Sequence, residues 1–151
     1  MQFLTAATLF GLALAAPAPQ TTDCPNPAHC GTAPDPSTYE NVDISDFYLR
    51  KNPGIVSASF TLSGADGNVT CSIGAVESLP SEVQVCGESK YRFGLIEGEG
   101  EGQVGVRLYK ELGTAFGWTG EGLVPTYCHA GGNGPEDFVC SQVVPVTIVI
   151  S

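Results

Sequence analysis

Basic residues are scarce in this chain. Six lysines and arginines stand against sixteen aspartates and glutamates, a net charge of −10 over 151 residues. That balance argues against nucleic acid or an anionic membrane as partner, because a phosphate-bearing surface demands a basic face. It favours solubility and steers the chain toward basic partners, although a surface that merely solubilises would look the same. Long apolar runs are missing as well. The stretches Met1–Ala15 and Val143–Ile150 are both too short to cross a bilayer as helices. No amphipathic helical pattern of any length is present, nor a Gly-x-Ser-x-Gly elbow, nor a His-Glu-x-x-His pair, so the common hydrolase signatures are absent. Tryptophan occurs once, at Trp118.

What is present reads as an exported single domain. Residues 1–15 are apolar with small residues at Ala13 and Ala15, the pattern of a signal peptide cleaved after Ala15. Six cysteines in an exported chain are expected to form disulfides rather than a metal cluster or a catalytic thiol; six allow fifteen pairings, and the residues alone do not choose. Residues 16–37 are rich in Pro, Ala and Thr with almost no apolar bulk, so a flexible arm is expected there. Within it Cys24 and Cys30 either close a small local ring or bridge to a second chain, which would make a homodimer. One histidine between two oxidisable thiols is a poor metal site.

From residue 38 to 151 the pattern is that of strands. Val42 and Ile44 alternate with Asp43 and Ser45. Val56, Ala58, Phe60 and Leu62 alternate with Ser57, Ser59 and Thr61, a half-buried antiparallel strand. Gly64-Ala65-Asp66-Gly67 is a hairpin turn, after which Val69, Cys71 and Ile73 resume the alternation; Asn68-Val69-Thr70 beside it is a glycosylation sequon. Tyr91, Phe93 and Leu95 form a further strand. The run Glu97-Gly98-Glu99-Gly100-Glu101-Gly102 is a hairpin tip, since its glutamates repel phosphate and its spacing fits neither a dinucleotide fingerprint nor a calcium loop. Thr114 to Thr119 reads as a strand, followed by a glycine-rich turn into Leu123-Val124-Pro125, and Val144 to Ile150 as the last strand. Trp118 is expected in the core. The fold class is all-β: a compact antiparallel barrel or sandwich.

The chain is organised around Tyr127-Cys-His-Ala-Gly-Gly-Asn-Gly-Pro-Glu-Asp-Phe-Val-Cys140. Gly131-Gly132-Asn133-Gly134-Pro135 can be neither helix nor regular strand. This stretch, with Ile44-Ser45-Asp46-Phe47-Tyr48, Arg50-Lys51 and Cys86-Gly87-Glu88 in the same order, resembles the Alternaria major-allergen family of small secreted fungal β-barrel proteins, several of which elicit responses in plants. The resemblance covers Glu40 to Ile150. It implies the pairings Cys71–Cys86 and Cys128–Cys140, hence two intradomain disulfides. A Cys128–Cys140 bridge would close the loop and, on the chain-entropy model, stabilise by roughly 3 kcal/mol. It further implies allergen-like behaviour, a flavonoid-like ligand and a host plant defence protein of the thaumatin-like class as partner. In the type member a single N-terminal cysteine joins two barrels; this chain has two cysteines there.

Catalytic candidates are few. His129 neighbours Cys128, but a disulfide-bonded sulfur is no nucleophile, and the type member carries arginine at that position. Glu136 and Asp137 are adjacent carboxylates, and adjacent residues point apart rather than across a cleft; they read as solvated loop acids. His129 offers a pH-sensitive contact. No catalytic, cofactor or metal-binding residue is assigned. The expectation is a secreted, non-enzymatic effector or elicitor that binds a host protein through the loop residues His129, Gly131, Gly132, Asn133, Gly134, Glu136 and Asp137, with the acidic tip as a second surface. A pinned loop without a site is the bland alternative. An extracellular carrier of a flavonoid-like molecule, with Tyr91, Phe93, Phe116 and Trp118 as lining, is the second reading, and a small carbohydrate-active enzyme the third.

Overall fold

The alternation of apolar and polar residues builds two antiparallel sheets whose apolar faces meet. The computed structural model describes residues 35, 37–100 and 103–151; the expected signal peptide, nearly all of the arm with Cys24 and Cys30, and Glu101 and Gly102 lie outside them. The larger sheet contains β1 (Glu40–Lys51), β2 (Ile55–Gly64), β3 (Gly67–Ile73), β8 (Thr126–Ala130), β9 (Phe138–Gln142) and β10 (Val146–Ile150). The smaller has the order β4 (Gln84–Val85), β5 (Tyr91–Glu97), β6 (Val104–Gly113) and β7 (Phe116–Leu123). Val42, Ile44, Leu49, Phe60 and Leu62 face Phe93, Leu95, Val106 and Leu108, all fully buried. Phe60 stacks on Phe47 and meets Phe93 edge-on, at 6.0 and 5.0 Å between centroids.

Strand β1 carries the larger sheet. One of its edges pairs with β2 between Asp43 and Lys51, and the other changes partner: Glu40 to Ile44 pair with β10, while Tyr48 to Lys51 pair with β9. The change falls at Asp46, which sits at φ 55° and shifts the register against β2 between Ser45 and Tyr48. Such a break leaves ladder groups without partners, and the side chain of Gln142 replaces them. Its Oε1 accepts from the Phe47 N–H at 3.0 Å, and its Nε2 donates to the Ile44 and Val144 carbonyls at 2.9 and 2.7 Å.

The sheets do not close into a barrel; the architecture is a sandwich stitched at its seams. On one side Thr119 and Ser151 exchange backbone hydrogen bonds of 3.2 Å between β7 and the chain end. That approach needs glycine at Gly120, where a β-carbon would strike the Val149 carbonyl. On the other side Cys71, on the edge strand β3, bonds to Cys86, just beyond β4. This bridge, expected from the resemblance, therefore joins the edges of two different sheets. One correction concerns residues 113–123. The turn falls at Thr114-Ala115, and the glycines expected to form a turn lie inside β7, because the strand must be thin where β10 packs on it. Trp118 is half-buried against the core and Phe116 is exposed at the turn.

A polar lock crosses the core near the start of β1. Lys110 of β6 is 6% exposed and its Nζ lies 2.6 Å from Glu40 Oε2 and 3.0 Å from Asp66 Oδ2. Tyr91 of β5 donates its hydroxyl to Glu40 Oε1, which also accepts the Ala65 N–H at 2.7 Å. Burial opposes the Lys110 ammonium, yet its bonds to Glu40, Asp66 and Tyr91 outweigh burial and raise its pKa well above the ordinary value. Burial likewise pushes the Glu40 carboxyl up, and the bonds from Lys110, Tyr91 and Ala65 more than offset that, leaving it lowered.

Removing one partner of such a pair strands the other charge. Lys110→Met is expected to cost about 3–5 kcal/mol in denaturant unfolding, with part of the loss recovered in the Glu40→Gln, Lys110→Met double variant; a loss below about 1 kcal/mol would mean the pair behaves as a solvated one. The contribution of Glu40 is present above about pH 4 and lost as pH falls through its lowered folded value. That of Lys110 is present below about pH 10 and lost as pH rises through its raised folded value. The lock therefore gives a denaturation midpoint that is level between these limits and falls outside them.

Candidate recognition surface

The register places a distinctive set of side chains on the outer face of β1, β9 and β8. Tyr48 pairs with Ser141, which pairs with Tyr127, so the two tyrosines flank a serine across three strands. In the next row Arg50, Val139 and His129 lie side by side. Cys128 and Cys140 are directly paired and alternate to the opposite side, which fixes Tyr127 and His129 outward. Tyr127 is 69% exposed, and Val143 and Val144 beside the β1 break are exposed as well. A groove of about 460 Å³ runs there between Asp46, Tyr48, Gln142 and Val144.

The loop from Gly131 to Asp137 folds around one carboxylate. Asp137 is 0% exposed, so it is no solvated loop acid, contrary to the sequence reading. Arg50 grips it with two bonds of 3.1 Å, Nε to Oδ1 and Nη2 to Oδ2. The Asn133 N–H donates to Oδ2 at 2.9 Å, and the Gly131 N–H to the Asp137 carbonyl at 2.7 Å. Asn52 adds a bond of 3.4 Å to the Asn133 carbonyl. Gly132 and Gly134 take φ values of 90° and 108° to make the bend. Gly131 has a different role, since a β-carbon there would collide with the Asp137 carboxyl. The hydrogen bonds from Arg50 pull the Asp137 carboxyl below its ordinary pKa, burial opposes them, and the Asn133 N–H adds to them.

Of the residues expected to form the recognition loop, His129, Gly131, Gly132, Asn133, Gly134 and Glu136 are exposed together at this end of the molecule. Asp137 is instead the anchor that holds them. Glu136 and Asp137 do not face each other: one is solvent-exposed and the other is locked to Arg50. The expected ligand-lining aromatics also part company, with Tyr91 and Phe93 in the core and Phe116 65% exposed. Sequence reading missed Tyr48, Tyr127 and Arg50 as members of the surface, although alternation from Cys128 assigns Tyr127 its face. At this same end of the sandwich, past Lys51, the acidic tip is closed by Gly98 N–H to the Gln103 carbonyl, at 3.0 Å. Beside it a groove of about 540 Å³ has Ile55, Val76, Leu79 and Val104 along it, with Lys51 and Glu97 at its margin.

Residues 44–140 match the family model of Alternaria alternata allergen 1. The chain belongs to that family. It is 46% identical to the effector protein PevD1 of Verticillium dahliae over 99% of this chain and 94% of that protein. It is 33% identical to the major allergen Alt a 1 of Alternaria alternata, over 99% and 96% of the two chains. The crystal structure of Alt a 1 superposes with a TM-score of 0.61 at 30% identity, covering 74% of this chain and 87% of that one. The family match spans Arg50, Asp137 and all four paired cysteines described above.

Two outcomes are expected from this geometry. Asp137→Asn removes the charge that orders the loop, so amide exchange at Gly131 and Asn133 rises by an order of magnitude or more while the core strands stay protected. Gly131→Ala gives the same effect without touching the charge. Because the Asp137 pKa is lowered, the loop is held above about pH 4 and loosens as pH falls below it. Second, Cys71 and Cys86 are both fully buried whereas Cys128 is exposed. Alkylation after mild reduction is therefore expected to label Cys128 and Cys140 first, since exchange requires access to a sulfur; simultaneous labelling of all four would contradict this.

Proposed function

We propose that this chain is a secreted, non-enzymatic effector that works by binding an extracellular host protein through the outer face of β1, β9 and β8 and the adjoining loop. The observation that carries the reading is the held loop: an ion pair, a disulfide and a bulged strand fix an exposed tyrosine-rich surface before any partner arrives. Preorganisation of this kind lowers the ordering cost of association, and tyrosine is among the residues that dominate binding energies. Relatives named as an effector and as an allergen support the same class of activity. A net charge of −10 favours encounter with a basic partner. The partner we favour is a plant defence protein of the thaumatin-like class.

A second reading rests on the groove beside the acidic tip. Its apolar length and charged margin suit a small planar molecule of the flavonoid kind, and native mass of protein taken from its own producer tests for one. A covalent homodimer through Cys24 or Cys30 is a further proposal, separated from a local ring by a non-reducing gel.

The deciding experiment for the main reading is affinity capture from plant apoplastic fluid with the folded, oxidised protein as bait. A specific host protein is expected, and Tyr127→Ala is expected to weaken its capture roughly thirty-fold, the equivalent of about 2 kcal/mol. No capture by the folded protein would sink the effector reading. Capture indifferent to Tyr127→Ala would remove this face from it.

A further inference from the structure

The outer face of the larger sheet is divided in two. Its β1, β9 and β8 half carries Tyr48, Arg50, Val139, His129 and Tyr127, as described. Its other half, on β2 and β3, carries hydroxyls: Ser59, Thr61 and Ser63 alternate with the buried Phe60 and Leu62, and Thr70 and Ser72 alternate with Cys71. Thr61 and Thr70 are paired directly across the two strands at the middle of this half. Asn68 stands at the margin of this hydroxyl half. It lies just past the Ala65-Asp66 turn, paired with Ser63, and both Asn68 and Thr70 are exposed on the outward side while Val69 between them turns in.

Asn68 is also the sole asparagine of the chain that meets the acceptor rule. Asn26 and Asn52 precede proline, and Asn41 and Asn133 have no hydroxyl residue two positions on. We propose that Asn68 bears an N-linked glycan and that this sugar covers the hydroxyl half of the sheet, leaving the tyrosine half as the open face. In the transfer, Asn68 Nδ2 attacks C1 of the reducing-end N-acetylglucosamine of a polyprenyl-diphosphate-linked oligosaccharide. The N–C1 bond forms, the C1–O bond breaks, the diphosphate departs, and the proton lost from Nδ2 goes to it. Folding does not hide the product, because the side chain emerges from the outward face beside a tight turn. Sugar hydroxyls lying over Thr61, Ser63 and Thr70 exchange hydrogen bonds with them in place of water and cover no apolar surface. The proposal rests on export through the secretory route and is independent of the partner-binding reading above.

The test is intact mass of the full chain, expressed with its own leader in a secreting fungal host and taken from the medium, before and after peptide-N-glycosidase. Hexose-spaced species that collapse to one mass, with Asn68 converted to Asp, are the expected result. Asn68→Gln and, independently, Thr70→Val should each abolish the spaced species; Thr70→Val keeps the strand and serves if Asn68→Gln fails to fold. An unmodified mass in the secreted, disulfide-bonded chain overturns the proposal, as does a glycan that persists in both variants. Position is read by amide exchange of the glycosylated chain against Asn68→Gln. Slowing confined to β2 and β3 is expected, and slowing at β8 and β9 instead would place the sugar on the wrong half.

Discussion

The surface proposed for recognition depends on one ion pair. Arg50 and Asp137 are 87 residues apart, and their two-pronged contact converts a stretch of three glycines, an asparagine and a proline into a loop with one shape. A carboxylate excluded from solvent is costly unless its oxygens are used. Here Oδ1 takes Arg50 and Oδ2 takes both Arg50 and the Asn133 amide. The disulfide two residues behind the loop closes the hairpin but leaves its tip free to move. What fixes the tip is the charge pair, and Gly131 supplies the space for it.

Both charged locks of the molecule hang on the same strand. Glu40 opens β1 and reaches across the core to Lys110 in the smaller sheet; Arg50 is near its end and reaches along the larger sheet to the loop. Between them Asp46 breaks the strand, which lets β10 hold the first half and β9 the second. The outcome is a division of labour within twelve residues: one half of β1 joins the two sheets, the other presents the surface. Gln142 connects the halves by occupying the hydrogen-bonding positions at the break. The stretch Ile44 to Tyr48 followed by Arg50-Lys51, on which the sequence resemblance was read, coincides with this break and this anchor.

The alternation of apolar residues was enough to read an all-β fold and most of its strands, since Phe60, Leu62, Phe93, Leu95 and Val106 each fall on a period of two. Pattern reading failed where an interaction overrides hydropathy. Asp137 read as a solvated acid, and alternation singled out neither Glu40 nor Lys110; each of the three is buried because a partner distant in sequence satisfies it. The glycines of β7 read as a turn because their strand role, admitting β10 at Gly120, belongs to a contact 29 residues downstream. The loop itself was legible as the centre of the molecule, but its anchor was assigned to the exposed set. Tyr48 and Tyr127 were hidden by the ambiguity of aromatics, which serve cores and surfaces alike.

The central claim is that the loop is rigid before it meets a partner, and that the Asp137 carboxylate makes it so. Amide hydrogen exchange of the free, oxidised protein at neutral pH, resolved at single residues by NMR, addresses it directly. Protection of the Gly131 and Asn133 N–H groups approaching that of the flanking strands, with Gly132 and Gly134 exchanging freely, is the predicted result. Exchange of Gly131 and Asn133 at the rate of an unstructured chain would contradict the account, because the ion pair would then be present without ordering the surface it is held to organise.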